Sequence, residues 1–102
     1  MIYHLITPET WATYESQPAY SNPSLDTEGF IHCSRQEQIE GVLERFFEGV
    51  TALQLLHIDE SQLTSPLRYE AVPDAPDTFP HVFGPINREA IVAVTWVRGE
   101  SS

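Results

Sequence analysis

The sequence predicts an α+β domain. Three observations point there. Short apolar segments of strand character outnumber helical ones, only two stretches carry helix-start chemistry, and the order β-α-β-α-β-β-β-β lacks the regular alternation of a doubly wound sheet.

The first segment, Ile2 to Ile6, is β-branched and aromatic, and alternation places Ile2, His4 and Ile6 on one face of a strand. Thr7 offers an N-cap oxygen and Pro8 suits the first helical position, so a short helix is expected to about Ser16, with Trp11 and Tyr14 inward. Gln17 to Leu25, with Pro18, Asn22 and Pro23, reads as loop. Gly29 to Cys33 reads as a second strand. Ser34 and Glu37 then have capping-box spacing and are expected to start a helix at once.

In that helix Ile39, Val42, Leu43, Phe46 and Phe47 recur at i, i+3, i+4, i+7 and i+8, an apolar stripe that predicts burial against the core. Gly49 is placed to end it, since glycine adopts the left-handed closing conformation without a Cβ clash. Ala52 to Ile58 is an apolar run too short for an ordinary helix and predicts a buried strand, followed by a turn at Asp59 to Ser61. Leu67 to Val72 alternates, with Leu67, Tyr69 and Ala71 opposite Arg68, Glu70 and Val72. Pro73 to Pro76 is loop. Phe79 to Phe83 and Ala90 to Val97 are the last strands, separated by a Gly84-Pro85 turn. One domain spans residues 1–98, and residues 99–102 form a tail.

Composition narrows the function. The 102 residues carry fifteen Asp and Glu against five Arg, with no Lys, for a formal charge of −10. Nucleic acids and anionic membranes attract proteins through basic side chains, so neither is an expected partner. Without lysine there is no Schiff-base chemistry and no lysine-dependent phosphate loop. The opening MIYHLITPE has neither a basic n-region nor a long apolar run, and the single cysteine cannot form an internal disulfide. A cytoplasmic location is the expectation.

The chemical raw material is four histidines, Cys33 and several carboxylates. Neighbours on a strand point to opposite faces, so His32 is poorly placed to activate Cys33, which reads as a small core residue. No His pair lies one helical turn apart and no Cys pair has zinc-ribbon spacing, so no metal is expected. Glu70 either faces solvent or lines a pocket, where partial burial would fit it for acid-base work or for stabilising a developing cation. Glu28 reads as a turn residue. Phe79 to Pro85 is either a stiff edge strand or a rigid binding segment. His32 and His81 are expected on neighbouring strands, directed into a common pocket.

The strings Glu28-Gly29-Phe30-Ile31-His32-Cys33-Ser34 and Phe79-Pro80-His81-Val82-Phe83-Gly84-Pro85, with Ile2-Tyr3-His4, Trp11 and Glu70, resemble a small bacterial family catalogued as a domain of unknown function. That family is grouped by fold with the ADP-ribosyltransferase-like superfamily, which binds NAD between two small antiparallel sheets. The resemblance implies split antiparallel sheets with flanking helices. It also implies a first-strand histidine near a ribose, matched by His4, and a late glutamate assisting glycosidic cleavage, matched by Glu70. Position 68 is Arg, where transferases acting on arginine carry Glu or Gln two residues before the glutamate.

The candidate site therefore has Glu70 and His32 as catalytic groups and His4, Tyr20, Phe30, Ser34, His81 and Phe83 as ligand-binding groups, with no cofactor beyond NAD as a candidate substrate. The function expected is binding of NAD or a related nucleotide, with action on its glycosidic or phosphate linkage; a small anionic metabolite is the expected partner of a non-catalytic module. The alternative is a non-catalytic module for a small ligand or a protein.

Overall fold

A computed structural model describes residues 1–73 and 75–99. Most of the 99–102 tail anticipated from sequence lies outside the described residues. The chain is α+β, and its strands form three antiparallel sheets.

The first sheet joins β1 (Ile2–Ile6), β4 (Leu53–Ile58) and β8 (Ile91–Arg98) in the order β1-β4-β8. Alternation works as the sequence requires. Ile2, His4 and Ile6 are buried while Tyr3 and Leu5 are half-covered. β4, the central strand, buries Leu53, Leu55, Leu56 and Ile58, which explains its nearly continuous apolar run.

A second pair joins β2 (Ala19–Tyr20) to β7 (Ile86–Asn87), with Tyr20 opposite Ile86. The third sheet has the order β3-β6-β5, from β3 (Ile31–His32), β6 (Thr78–Val82) and β5 (Leu67–Ala71). Tyr3 and Ser34 exchange backbone hydrogen bonds of 2.8 and 2.7 Å, which stitches the first sheet to the segment leaving β3. The core between the sheets contains Ile2, Ile6, Trp11, Tyr20, Ile31, Leu56, Val82 and Ile86. Burying eight such side chains is the dominant favourable term for folding.

Among the described residues, three α-helices complete the fold. Helix α1 (Pro8–Tyr14) starts as expected: the Thr7 hydroxyl accepts from the Thr10 N–H at 3.3 Å, and Trp11 is buried. It stops two residues short of Ser16. The segment Gln17 to Leu25 is more ordered than a loop, since it contains β2 and the start of α2 (Ser24–Thr27). Asn22 builds that turn by accepting from the Ser24 N–H at 2.9 Å.

The second expected helix begins differently. A 3₁₀ turn over Gln36–Gln38 precedes α3 (Ile39–Phe46), and the reciprocal side chain is Gln38, whose Oε1 accepts from the Arg35 N–H at 2.9 Å. The Ser34–Glu37 box is therefore displaced by one residue, because Ser34 is already committed to the bridge with Tyr3. Gly49 has φ +83, and the helix has ended before it. No α3 residue is buried, and Phe46 is 69% exposed. The apolar stripe is present, but the core does not cover it. Residues 84–90 hold β7 and a 3₁₀ turn, Arg88–Ala90, where only a turn was anticipated. Among the described residues no helix is long and apolar enough to cross a membrane.

Candidate functional site

The third sheet has two differently used faces. Ile31 pairs with Val82, and both are fully buried on the core side. One residue on, His32 stands directly opposite His81. On β5, Arg68 is opposite His81, and Glu70, two residues further, shares that face. This face is part of a cleft with a volume of 1180 Å³. Its other walls come from the 20–30 segment, from α3 and from residues 71–73 and 75–77.

His81 is 3% exposed, and its Nδ1 donates to Glu70 Oε1 at 2.8 Å. Phe30 stacks on the His81 ring with centroids 4.1 Å apart and planes 17° apart. The His32 ring meets His81 edge-on at 5.4 Å. His81 Nε2 is buried and has no hydrogen-bond partner. Most buried polar atoms are paired, so an orphaned ring nitrogen beside a cleft calls for an explanation. His32 is more open, and its Nε2 bonds Glu28 Oε2 at 3.0 Å.

Behind this pair lies a polar relay in the core. Asn22 Nδ2 donates to the Tyr20 hydroxyl at 2.6 Å, Tyr20 donates to His4 Nε2 at 2.8 Å, and His4 Nδ1 donates to the His32 carbonyl at 2.6 Å. A carbonyl can only accept, so the His4 tautomer is fixed with its proton on Nδ1. Burial lowers the His4 pKa to about 4, against a smaller upward effect of the His32 carbonyl. Burial likewise pushes Tyr20 up to about 12, with the Asn22 bond acting the other way. Both groups are neutral at physiological pH.

Of the residues expected from sequence, Glu70, His32, His4, Tyr20, Phe30, Ser34 and His81 all line the one cleft. His4 and Tyr20 have their polar atoms engaged inside the protein, so they shape the wall and hold the backbone of His32. Phe83 stands behind Phe30 at 5.3 Å, with the Arg68 guanidinium 5.5 Å from its ring, and is not a cleft wall. Glu70 is half-buried and bound to His81, which replaces the solvent-facing alternative. Glu28 partners His32 and is more than a turn residue. Cys33 is 3% exposed, and burial pushes its thiol pKa up, opposite to what a thiolate nucleophile requires. Among the described residues, no three His, Cys, Asp or Glu side chains gather as a metal site.

Sequence reasoning missed two parts of the cleft. Asn22 gave only a loop signal. Val42, Phe46 and Phe47 belonged to the α3 stripe, and nothing in their spacing distinguishes a wall of a cavity from a face of the core. Gln38 also lines the cleft and donates to the Thr78 carbonyl at 2.8 Å. Arg35 clamps Asp77 and Glu37, and this holds the Asp77 carboxyl below its usual range.

No curated protein matches the chain. Solved structures do: the crystal structure of protein CC0527 from Caulobacter crescentus is 24% identical, with 98% of this chain and 88% of that chain covered and a TM-score of 0.84. A double mutant of CC0527 gives 23%, 98%, 88% and 0.83, and its solution NMR structure gives 24%, 98%, 86% and 0.80. At that identity the likeness establishes a shared fold. The family-level match is independent of these structures and spans residues 5–94, so the chain belongs to the DUF952 family, described as proteins of unknown function.

Proposed function

We propose that the cleft binds a nucleotide of the NAD type and acts on its glycosidic bond, on an ADP-ribosyltransferase-like arrangement of split antiparallel sheets. The observation that carries this reading is the convergence of Glu70 with His4, His32 and His81 on one cavity. Glu70 Oε1 is taken by His81, which orients the carboxylate on the cleft face of β5. A carboxylate so held stabilises positive charge developing on a sugar carbon as its bond to the leaving base lengthens. The Phe30 and His32 rings supply planar surface for a base. The reaction assigned to the chain is cleavage at the ribose, which the held Glu70 carboxylate serves, and the phosphate linkage is the less supported target.

The test is direct. NAD incubated with the protein is expected to release nicotinamide, Glu70→Gln is expected to lose at least a hundredfold in rate, and NAD is expected to shift amides around residues 30–34, 70 and 81. Absence of any such shift at millimolar NAD, ADP-ribose and nicotinamide mononucleotide would sink the reading. Binding shifts without turnover would favour a non-catalytic module, a reading supported by the stiff, buried Pro80 between Phe79 and His81.

A further inference from the structure

His81 Nδ1 donates to Glu70, so in the neutral ring Nε2 carries a lone pair and nothing donates to it. That atom is a buried acceptor awaiting a donor. The titratable groups around it are unbalanced. Among the described residues, Glu28, Glu37, Glu70 and Asp77 line the cleft with one arginine, Arg45; Arg35, just outside, is shared between Glu37 and Asp77, and Arg68, opposite His81 on β5, lies outside the walls with its guanidinium 5.5 Å from the Phe83 ring. Beyond the histidine corner the walls turn apolar, with Val42, Phe46, Phe47, Val72 and Phe79. An anion placed at this corner would meet Glu28 and Glu70 and would leave the Nε2 lone pair unpaired. An organic cation with N–H donors satisfies both at once: one N–H to Nε2, its charge beside Glu70, and its apolar part between α3 and the side chains of Val72 and Phe79.

We infer that the His81–Glu70 corner is a recognition site for the protonated amine of a small amphipathic ligand, with His81 Nε2 as the acceptor of an ammonium N–H and Glu70 as its counter-charge. A hydrogen bond between ammonium and imidazole is charge-assisted, and such bonds are about twice as strong as neutral ones. The two groups are also pre-oriented by their own 2.8 Å bond, so no ordering of either is required on binding. This inference goes beyond the nucleotide reading and stands or falls without it, since it concerns ligands that contain neither ribose nor phosphate.

The experiment uses three probes of one shape: 2-phenylethylamine, 2-phenylethanol and phenylacetate, titrated into ¹⁵N-labelled protein at pH 7. The amine is expected to bind on the order of tenfold or more tighter than the alcohol, to shift the His81 ring nitrogens, and to weaken as salt is raised. Phenylacetate is expected not to compete. Glu70→Gln is expected to reduce the preference for amine over alcohol toward parity. Equal binding of amine and alcohol, tighter binding of phenylacetate, or an unmoved His81 Nε2 resonance each overturns the inference. Should a variant fail to fold, the three probes on the unaltered protein decide the matter alone. NAD turnover with no amine binding would overturn this inference and keep the nucleotide reading, whereas amine binding with no response to NAD would do the reverse.

Discussion

The hydroxyl of Tyr20 and the Nε2 of His4 are bound at 2.8 Å inside the core, and this one contact joins β2 to β1. Through His4 Nδ1 it continues to the His32 carbonyl, so the backbone of a cleft residue is held by groups whose polar atoms are engaged inside the protein.

Tyr20→Phe keeps the ring and removes the donor. His4 Nε2 then becomes a buried acceptor without a partner, and Asn22 loses its acceptor as well. The expected cost is roughly 1–3 kcal/mol. Urea denaturation monitored by circular dichroism measures it; a change below about 0.5 kcal/mol would show that the relay contributes no stability.

The same relay makes stability depend on pH. The His4 pKa is about 4 in the folded protein against an ordinary histidine value of 6.5, so between these values the unfolded chain binds the proton and the folded chain does not. The His4 contribution is therefore whole above about pH 6.5 and is lost as pH falls toward 4, by roughly 3 kcal/mol in all. Asp77 and Glu37, both exposed and lowered, act in the same direction further into acid. A His4→Gln variant is expected to be less stable at pH 7 but flatter between pH 6.5 and 4. A wild-type stability that is level or rising over that fall in pH would contradict this.

Gly84 has φ +156, and a Cβ there would stand 2.5 Å from Ser65 Oγ and 3.0 Å from Ser65 Cβ. Ser65 cannot simply turn away, because its hydroxyl donates to the Pro85 carbonyl at 2.7 Å. Gly84→Ala is expected to lower stability by about 1–3 kcal/mol. Adding Ser65→Gly should return part of that loss and not all, since the unfavourable φ remains. Full recovery in the double variant would place the whole effect in the clash.

Cys33 should be inert in the folded state. With its thiol enclosed and its pKa raised by burial, iodoacetamide at pH 8 is expected to modify it no faster than the chain unfolds, and readily in denaturant. Rapid labelling of the native protein would contradict this.

The strands were legible because their faces are used unequally. Ile2, His4 and Ile6 alternate with half-covered residues, and the run at β4 reflects a central strand. The same alternation gave the face of His32 and of His81 within each strand, and the pairing of β3 with β6 sets the two opposite each other. The second helix was legible in its periodicity but not in its surroundings, since a stripe that lines a cavity has the same spacing as one that meets a core. Its start was misplaced because the Ser34 backbone is drawn to Tyr3, a contact 31 residues away in sequence that local capping rules do not contain. Most of the relay was invisible for the same reason: the Tyr20–His4 and His4–His32 bonds join segments whose proximity is set by the sheets, and only the Asn22–Tyr20 bond is local.

The half-covered α3 has a further consequence for how the molecule opens. Its ends are tied by polar bonds, Gln38 to the Thr78 carbonyl at one end and Arg98 to the Phe47 and Val50 carbonyls at the other, while its apolar face rests on the cleft. Releasing it breaks few apolar contacts and leaves the β1-β4-β8 sheet intact. The helix is then expected to open as a separate foldon, with amide exchange governed by a smaller free energy than global unfolding. A ligand that fills the cleft adds the missing cover, so its binding should be read out as slowed exchange along Ile39–Phe46 before any change in the melting of the sheet.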